Sequence, residues 1–271
     1  MTGNPKDNLM NRSVQQLFDL TGKTALVSGG SRGLGLQMAY ALGEAGARVM
    51  LSSRSAEDLQ RATAELQAAG IQADWIAADC SQETGSRGLA DEAIRRLGHV
   101  DILVNNAGAA WGEPAEVHSV EAWDKLMNLN VRGYFILTQQ IARNSMIARR
   151  SGKIINVASI AGLGGNVPEM TTLAYNTSKG AVINFTRALA CEWGKYNINV
   201  NAICPGFFPS KMTKGIFREL GEDNLAKRTP LGRLGDDESL KGLCLLYASD
   251  AGRHISGQCI AVDGGVSAMI G

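Results

Sequence analysis

The hydrophobic positions of this chain fall into seven short apolar runs separated by longer amphipathic stretches. The runs lie at residues 23–28, 48–53, 73–78, 101–104, 153–158, 198–203 and 259–262. Apolar runs of this length predict strands buried on both faces, as in a parallel sheet. Helical spacing dominates the stretches between them, at residues 36–45, 60–69, 86–97, 120–148, 175–193 and 238–248. This alternation predicts an α/β protein with a doubly wound, seven-stranded parallel sheet.

Residues 1–18 lack the pattern, and we expect a flexible N-terminal arm followed by a single domain over residues 19–271. The net charge is +1 with both signs interspersed, which argues against a nucleic-acid or membrane surface. No apolar stretch of about 18 residues and no secretory start is present, so a cytoplasmic protein is expected. The five scattered cysteines form no CxxC pair, and no metal site is expected.

The first apolar run leads directly into a glycine-rich turn, Gly29-Gly30-Ser31-Arg32-Gly33-Leu34-Gly35, which precedes a helical pattern. Glycines let the backbone approach a pyrophosphate, and the free N–H groups of the following helix end bind the anion. The spacing is G-x-x-x-G-x-G rather than the usual G-x-G-x-x-G. The sequence therefore predicts a dinucleotide phosphate site, with an ordinary tight turn as the alternative.

The end of the second run indicates which dinucleotide is bound. An acidic residue at this place would bind both ribose hydroxyls and repel a 2′-phosphate. Here the run ends in Ser53 and Arg54, and Arg32 lies in the glycine turn. Because guanidinium groups form charge-assisted bonds with phosphate, this favours NADP(H) over NAD(H). The alternative is two solvated surface arginines. Asp79, after the third run, is expected either to cap the next helix or to bind the adenine amino group.

Tyr175 and Lys179 lie four residues apart in a helical pattern and therefore share one helix face. A nearby ammonium favours the phenolate and lowers the pKa of a tyrosine, which makes the pair a candidate general acid/base. Ser159 stands at the exit of the fifth run and is expected to face Tyr175. Asn130 lies in an otherwise apolar helix, where its amide needs a partner such as bound water. A packed tyrosine ring and a solvated lysine are the alternative interpretation.

Five motifs together carry a resemblance to the short-chain dehydrogenase/reductase family over residues 20–266. They are Gly29-x-x-x-Gly33-x-Gly35, Asn105-Asn106-Ala107-Gly108, Ser159, Tyr175-x-x-x-Lys179 and Pro205-Gly206. The resemblance implies a Rossmann-type fold and a hydride transfer between a ketone and a secondary alcohol (EC 1.1.1.-). It implies that Ser159 holds the carbonyl oxygen, Tyr175 moves its proton, and Lys179 lowers the tyrosine pKa and holds the nicotinamide ribose. Asn130 would hold a water that connects Lys179 to solvent.

The expected cofactor contacts follow from the same motifs. They are Gly29, Ser31, Arg32, Gly33, Leu34, Gly35, Ser53, Arg54, Asp79, Cys80, Asn106, Ala107, Gly108, Tyr175, Lys179, Pro205, Gly206 and Phe208. Two departures from the family pattern are Ser28 in place of the usual Thr and a Ser159–Tyr175 loop about three residues longer than usual. Family members are usually tetramers packed through the helices that carry Asn130 and Tyr175, so a homotetramer is expected.

The substrate is less well defined by the sequence. Residues 106–112 and 205–213 resemble 3-oxoacyl reductases, including the rhamnolipid-associated type, and other stretches resemble gluconate 5-dehydrogenases. A candidate lid, Pro209–Asp236, has apolar residues at and near its start, and Trp111 stands beside the other cofactor loop. These apolar residues are Phe207, Phe208, Met212, Ile216 and Phe217. They favour a 3-oxoacyl or similarly hydrophobic ketone over a keto-sugar. A function of a different class is a catalytically silent, NADP-sensing regulator.

Overall fold

The computed structural model describes residues 12–211, 213, 215, 217–218 and 221–269, in which an entirely parallel sheet has helices on both faces. The strands are β1 (Thr24–Ser28), β2 (Arg48–Ser53), β3 (Ala73–Ala77), β4 (Ile102–Asn105), β5 (Gly152–Val157), β6 (Ile198–Pro205) and β7 (Cys259–Val262). Their order across the sheet is β3-β2-β1-β4-β5-β6-β7. The seven-stranded, Rossmann-type fold predicted from the sequence is confirmed.

Helices occupy all the predicted stretches, and most begin a few residues earlier, whereas two short helices at Val14–Phe18 and Glu222–Lys227 were not predicted. They are α1 (Val14–Phe18), α2 (Gly33–Glu44), α3 (Ala56–Ala68), α4 (Glu83–Leu97), α5 (Val120–Met127), α6 (Gly133–Ile141), α7 (Ile147–Arg149), α8 (Leu173–Trp193), α9 (Glu222–Lys227) and α10 (Lys241–Ala248). The stretch predicted as one helix over 120–148 is α5, α6 and α7 joined by π turns at Asn128–Arg132 and Ala142–Met146. Each π turn adds a residue to the helical repeat and re-aims the side chains around it.

The predicted arm lies partly outside the described residues, which begin at residue 12. Within it, Ser13 caps α1 and forms a capping box with Gln16. Arg12 donates to Asp250 across 2.6 Å, which connects this segment to the C-terminal part of the domain. The flexibility expected of the remaining residues, 1–11, stays a prediction.

The strands of the central sheet send alternate side chains to its two faces, where most of the buried apolar residues form two clusters. Val27 of β1 packs with Leu42 and Leu59 on the face covered by α2, α3 and α10, whereas Leu26 packs with Leu89 and Leu137 on the face covered by α4, α6 and α8. Because a strand alternates its side chains between faces, an uninterrupted apolar run satisfies both cores at once.

The chain reverses its direction of progress across the sheet between β1 and β4. The strand β1 pairs with β2 on one side and with β4 on the other, so the connections at their carboxyl ends diverge and leave a crevice. Ligands of doubly wound sheets bind in such a crevice. None of the helices in the described residues is long and apolar enough to cross a membrane. The same part of the chain contains no cluster of three His, Cys, Asp or Glu side chains that would hold a metal ion.

Candidate active site

The glycine-rich turn between β1 and α2 is packed so closely that side chains are excluded from two of its positions. A Cβ atom on Gly35 would lie 2.2 Å from the Gly29 carbonyl oxygen, and one on Gly29 would lie 2.8 Å from the Ala107 Cα. Gly29 also has a φ of +66°. The helix α2 begins at Gly33 without a side-chain cap and without an acidic residue in its first turn. Its first N–H groups therefore remain available to an anion.

Ser28 and Asn106 join this turn to the loop that follows β4. The Ser28 hydroxyl accepts hydrogen bonds from the backbone N–H groups of Asn106 (3.0 Å) and Ala107 (3.2 Å). The Asn106 amide donates to the Gly29 carbonyl at 2.9 Å. Only the hydroxyl is needed for these contacts, which explains how serine serves where the family usually has threonine.

The two loops form one wall of a cleft of about 710 Å³ at the carboxyl edge of the sheet. The expected cofactor residues that line it are Gly29, Ser31, Arg32, Gly33, Leu34, Ser53, Arg54, Asp79, Cys80, Asn106, Ala107 and Gly108. Pro209, Ser210 and Lys211 of the candidate lid face the same cleft. The structure thus brings together the residues expected at the adenosine and phosphate half of the site.

Six other expected cofactor residues do not line this cleft: Gly35, Tyr175, Lys179, Pro205, Gly206 and Phe208. Gly35 supports the turn from behind, as its contact with Gly29 shows. The Phe208 ring is 3% exposed and packs against Gly235, where a Cβ would meet the ring at 2.3 Å. The core therefore holds its side chain, and the cofactor contact expected of Phe208 stays a prediction.

The corner after β2 contains an acidic residue that the sequence analysis did not single out. Arg32 Nη1 donates to Asp58 Oδ2 at 2.8 Å, and the other carboxylate oxygen binds Arg61. Asp58 lies in the first turn of α3, where its backbone N–H is capped by the Ser55 hydroxyl. The signal for it was present in the sequence, since Ser55 with Glu57 and Asp58 is typical of a helix start.

Asp79, expected either to cap a helix or to bind adenine, forms a local turn. Its Oδ1 accepts hydrogen bonds from the backbone N–H and the hydroxyl of Ser81, at 3.0 and 2.8 Å. Its side chain still faces the cleft. The turn-forming contact leads into α4, which starts at Glu83.

The reactive side chains lie on α8 and at the end of β5. Lys179 is 4% exposed, and its Nζ donates to the Val157 carbonyl at 2.8 Å. The same Nζ lies 5.7 Å from the centre of the Tyr175 ring and 5.7 Å from that of Tyr134. Ser159 follows β5, and its hydroxyl accepts the N–H of Ala161 at 3.1 Å. Ser159, Tyr175 and Lys179 therefore surround one point at the carboxyl edge, as expected.

The pKa values at this point differ from the expectation. Burial raises the pKa of Tyr175 above its ordinary value, and a hydrogen bond with Ser159 opposes the rise. Burial also lowers the pKa of Lys179 to about 8. The sequence analysis predicted that Lys179 would lower the tyrosine pKa. That direction is wrong for this structure, because both groups lie in an environment that disfavours charge and the ammonium binds Val157.

Asn130 lies in the first π turn and is fully buried. Its Oδ1 accepts the N–H of Ala109, and its Nδ2 donates to the Ala109 carbonyl, both at 2.9 Å. The second Nδ2 proton reaches the Ser178 hydroxyl at 3.0 Å. Protein groups thus use most of the amide, which ties the loop after β4 to α8. The water contact expected of Asn130 stays a prediction.

Gly108 lies where the cleft meets the reactive residues. A Cβ at this position would lie 3.2 Å from Asn130 Oδ1 and 3.7 Å from Lys179 Nζ. Gly108 also lines the cleft. The cofactor half and the catalytic half of the site are therefore continuous.

A buried polar network beneath the site was missed by the sequence analysis. Asn105 donates to Thr138 (2.7 Å) and to Asn156 (2.8 Å), and Asn156 donates to Thr186 (2.9 Å). All four residues are fully buried. The signal was one asparagine inside the fifth apolar run and another directly after the fourth, since a buried amide requires partners. The network links β4, β5, α6 and α8, which carry the site.

With this geometry established, the class of protein follows from comparison with known families. Residues 23–221 match the family described as "short chain dehydrogenase". The chain belongs to the short-chain dehydrogenase/reductase family and is an oxidoreductase of the EC 1.1.1.- class.

Individual relatives are of two kinds. A gluconate 5-dehydrogenase from Gluconobacter oxydans is 39% identical over 95% of this chain and 100% of its own length. A rhamnolipid biosynthesis 3-oxoacyl-[acyl-carrier-protein] reductase from Pseudomonas aeruginosa is 40% identical over 92% of this chain and 97% of its own. Among solved structures, a gluconate 5-dehydrogenase from Burkholderia cenocepacia in complex with NADP and tartrate has a TM-score of 0.89 and 34% identity, covering 95% of this chain and 100% of its own.

Proposed function

We propose that this enzyme is an NADP(H)-dependent reductase of ketones, with Tyr175 as the general acid/base. The observation that carries the proposal is the half-buried phenol of Tyr175 beside Ser159, with the buried Nζ of Lys179 5.7 Å from the ring. A phenol, a hydroxyl and an ammonium at one point supply the groups that carbonyl reduction needs: a proton donor, a hydrogen-bond partner for the oxygen and a positive charge.

The residues of the cleft fit a phosphorylated dinucleotide. Two close glycine contacts leave room for backbone but not for side chains, and the uncapped start of α2 opens into the cleft. We assign the pyrophosphate to this turn, and the 2′-phosphate to Ser53, Arg54 and Arg32. The bound nicotinamide would supply the hydride. The NADP complex of the Burkholderia cenocepacia gluconate 5-dehydrogenase supports the choice of cofactor.

The pKa shifts of Tyr175 and Lys179 indicate which protonation states are available for ketone reduction at neutral pH. Because burial raises the pKa of Tyr175, the phenol is protonated and is ready to donate its proton to a developing alkoxide. Ser159 holds the carbonyl oxygen by a hydrogen bond. Lys179, with a pKa of about 8, is mostly charged at pH 7 and stabilises negative charge at the same point. Asn130 keeps Ala109 in place against α8.

A hydrophobic ketone such as a 3-oxoacyl thioester fits the surroundings of the reactive residues best. Large apolar side chains on the loops after β4 and β5 and at the start of α8 are exposed, among them Trp111 (55%), Leu163 (45%) and Leu173 (46%). The amides of Asn166 and Asn176 hydrogen-bond each other at 3.1 Å. These segments, which flank Ser159 and Tyr175 in the chain, therefore offer apolar surface, whose burial is worth about 25 cal/mol per Å². Met212 and Ile216 of the candidate lid lie outside the described residues.

A keto-sugar acid is the second candidate substrate. The 39% identity to a gluconate 5-dehydrogenase over nearly the whole chain favours it. Specificity for several hydroxyls requires placed polar partners. Lys211 lines the cleft, and its positive charge would attract the carboxylate of a sugar acid. Reduction of 5-ketogluconate with far higher catalytic efficiency than any medium-chain 3-oxoacyl thioester would establish this alternative.

The proposal is tested by following NADPH absorbance with 3-oxoacyl thioesters, keto-sugars and diketones. Tyr175→Phe should lower turnover by about 10²–10⁴-fold while NADPH binding is retained. Tyr134→Phe is the matched control, because its ring is equally far from Lys179 Nζ but its hydroxyl is buried against the Val157 carbonyl. Near-normal turnover in Tyr175→Phe would disprove the assignment. NADPH binding without turnover on any substrate would favour a regulator.

The cofactor assignment has its own test. Ser53→Asp combined with Arg54→Ala adds a carboxylate and removes a cation where we place the 2′-phosphate. Losing one charge-assisted contact is worth about 1.5–3 kcal/mol, so the preference should move toward NADH by about ten- to a hundredfold. A wild-type enzyme that already prefers NADH would contradict the assignment.

We also propose a homotetramer packed through α5, α6 and α8. Phe135 of α6 and Val120 of α5 are 46% and 68% exposed, which is apolar surface available for such packing. Light scattering on the purified enzyme measures the mass directly. A monomeric mass would reject the assembly.

A further inference from the structure

We infer that Asp58 is a specificity-determining residue that competes with the cofactor's 2′-phosphate for Arg32 and so limits the preference for NADPH over NADH. This inference rests on the proposed NADP(H) assignment. It concerns an acidic residue on α3, outside the glycine turn and outside the positions at the end of β2 that indicate the cofactor.

The position of Asp58 is set by the backbone of α3. The helix begins at Ala56, and the Ser55 hydroxyl accepts the N–H of Asp58 at 3.1 Å. This cap fixes the first turn and directs the carboxylate toward the glycine turn, where Oδ2 meets Arg32 Nη1 at 2.8 Å. Arg32, Arg54 and Asp58 all line the same cleft.

The carboxylate remains ionised in this position. The hydrogen bond from Arg61 and the charge of Arg32 hold the pKa of Asp58 below its ordinary value. At neutral pH the corner therefore carries a negative charge in direct contact with one of the two cations assigned to the phosphate. Asp58 is 22% exposed at its side chain, and Arg32 is 55% exposed.

A 2′-phosphate and Asp58 cannot both use the same N–H of Arg32. To bind the phosphate through the Nη1 proton that now binds Asp58, Arg32 must leave Asp58, and the carboxylate also repels the phosphate across the cleft. A cofactor with a free 2′-hydroxyl leaves the Arg32–Asp58 pair intact. The competition therefore penalises NADPH and leaves NADH nearly unaffected. Because exposed ion pairs are weak, removing the charge of Asp58 should change the affinity for NADPH by about two- to fivefold.

Calorimetric titration with NADPH, NADH and the fragments 2′,5′-ADP and 5′-AMP tests the inference. Asp58→Asn keeps the shape of the side chain and removes its charge. We expect it to tighten NADPH and 2′,5′-ADP by about two- to fivefold, with less than about twofold change for NADH and 5′-AMP. Asp58→Ala should shift the ratio in the same direction.

Glu57→Gln is the matched control. It removes a charge from the same first turn of α3, but within the described residues Glu57 forms no ion pair. Its NADPH/NADH ratio should stay at the wild-type value. Weaker binding of 2′,5′-ADP in Asp58→Asn would overturn the inference, because Asp58 would then be orienting Arg32 for the phosphate. An equal change for both fragments would also overturn it. A wild-type preference for NADH would reject the cofactor assignment instead, since the inference depends on the change in ratio.

Discussion

Two buried charges lie at opposite edges of the same sheet, and only one of them is in contact with an opposite charge. Asp101 stands before β4 at the amino edge, where it accepts hydrogen bonds from Arg149 at 2.6 Å and from the Thr24 N–H at 3.0 Å. Lys179 stands beside the end of β5 at the carboxyl edge and donates to the Val157 carbonyl. Within the described residues, no carboxylate lies within 4 Å of its Nζ.

The two environments shift pKa values in ways that reflect their roles. Burial raises the pKa of Asp101, but the hydrogen bonds from Arg149 and Thr24 outweigh it and leave the pKa below its ordinary value. Burial lowers the pKa of Lys179 with little opposition. The charge at the amino edge is therefore stabilised by the fold, whereas that at the carboxyl edge is held at a cost to stability. Uncompensated buried charges of this kind are typical of functional sites.

The largest expected effect is on turnover, and it should distinguish Lys179 at the carboxyl edge from Asp101 at the amino edge. Lys179→Met removes the ammonium with little change in volume and should lower turnover by about 10²–10³-fold, as loss of one electrostatic contact to a developing charge does. Asp101→Asn should leave turnover per folded molecule within about twofold, because Asp101 lies at the edge of the sheet away from the site. Steady-state NADPH oxidation with the best ketone measures both. Comparable losses in the two variants would remove the distinction.

The next largest effect is on the free energy of unfolding, which should depend on the charge of Asp101 at the amino edge. Asp101→Asn leaves Arg149 without its partner and should lower the free energy of unfolding by about 2–4 kcal/mol at pH 7. Because the folded-state pKa of Asp101 is lowered, its stabilisation is present above the ordinary pKa of 3.8 and is lost as pH falls through the folded value. Urea unfolding at pH 7 and in acid should therefore show the difference between variant and wild type shrinking only below about pH 4. A variant as stable as wild type would show that the pair contributes nothing.

A smaller effect concerns cofactor binding at alkaline pH. If Lys179 contacts the nicotinamide ribose through its charged form, NADPH affinity should fall as the ammonium is lost above pH 8. The loss should be at most about tenfold per pH unit and absent in Lys179→Met. Fluorescence titration between pH 7 and pH 9 measures it. Parallel pH profiles for the two proteins would show that Lys179 does not contact the cofactor as an ammonium.

The sequence alone was sufficient to predict the strands of the sheet, because each strand corresponds to one short, continuous run of apolar residues. Every apolar run became a strand within one or two residues, and the glycine turn lies between β1 and α2 as predicted. Asn130 was recognised as an unusual buried amide, but the π turn that contains it was not predicted. No residue type marks a π turn, and the long helix could be traced only as one continuous pattern.

Features that depend on distant parts of the chain could not be predicted. The Arg32–Asp58 pair joins residues 26 positions apart, and its geometry depends on the cap of α3. The direction of the Tyr175 pKa shift depends on burial by surrounding elements, which the i, i+4 spacing of Tyr175 and Lys179 does not reveal. Local spacing identified the catalytic partners, whereas tertiary packing determines their charge states.

The most direct test of the contrast is the free energy of unfolding of wild type and Lys179→Met between pH 6.5 and pH 10.5. The folded-state pKa of Lys179 is about 8, lowered from 10.5, so the wild-type fold is destabilised by a buried charge below pH 8 and relieved of it as pH rises toward 10.5. We predict that Lys179→Met is more stable than wild type by about 1–3 kcal/mol at pH 7 and that the difference shrinks steadily above pH 8. A variant that is less stable at pH 7, or a difference that does not change with pH, would contradict the conclusion that this charge is kept for chemistry at the expense of the fold.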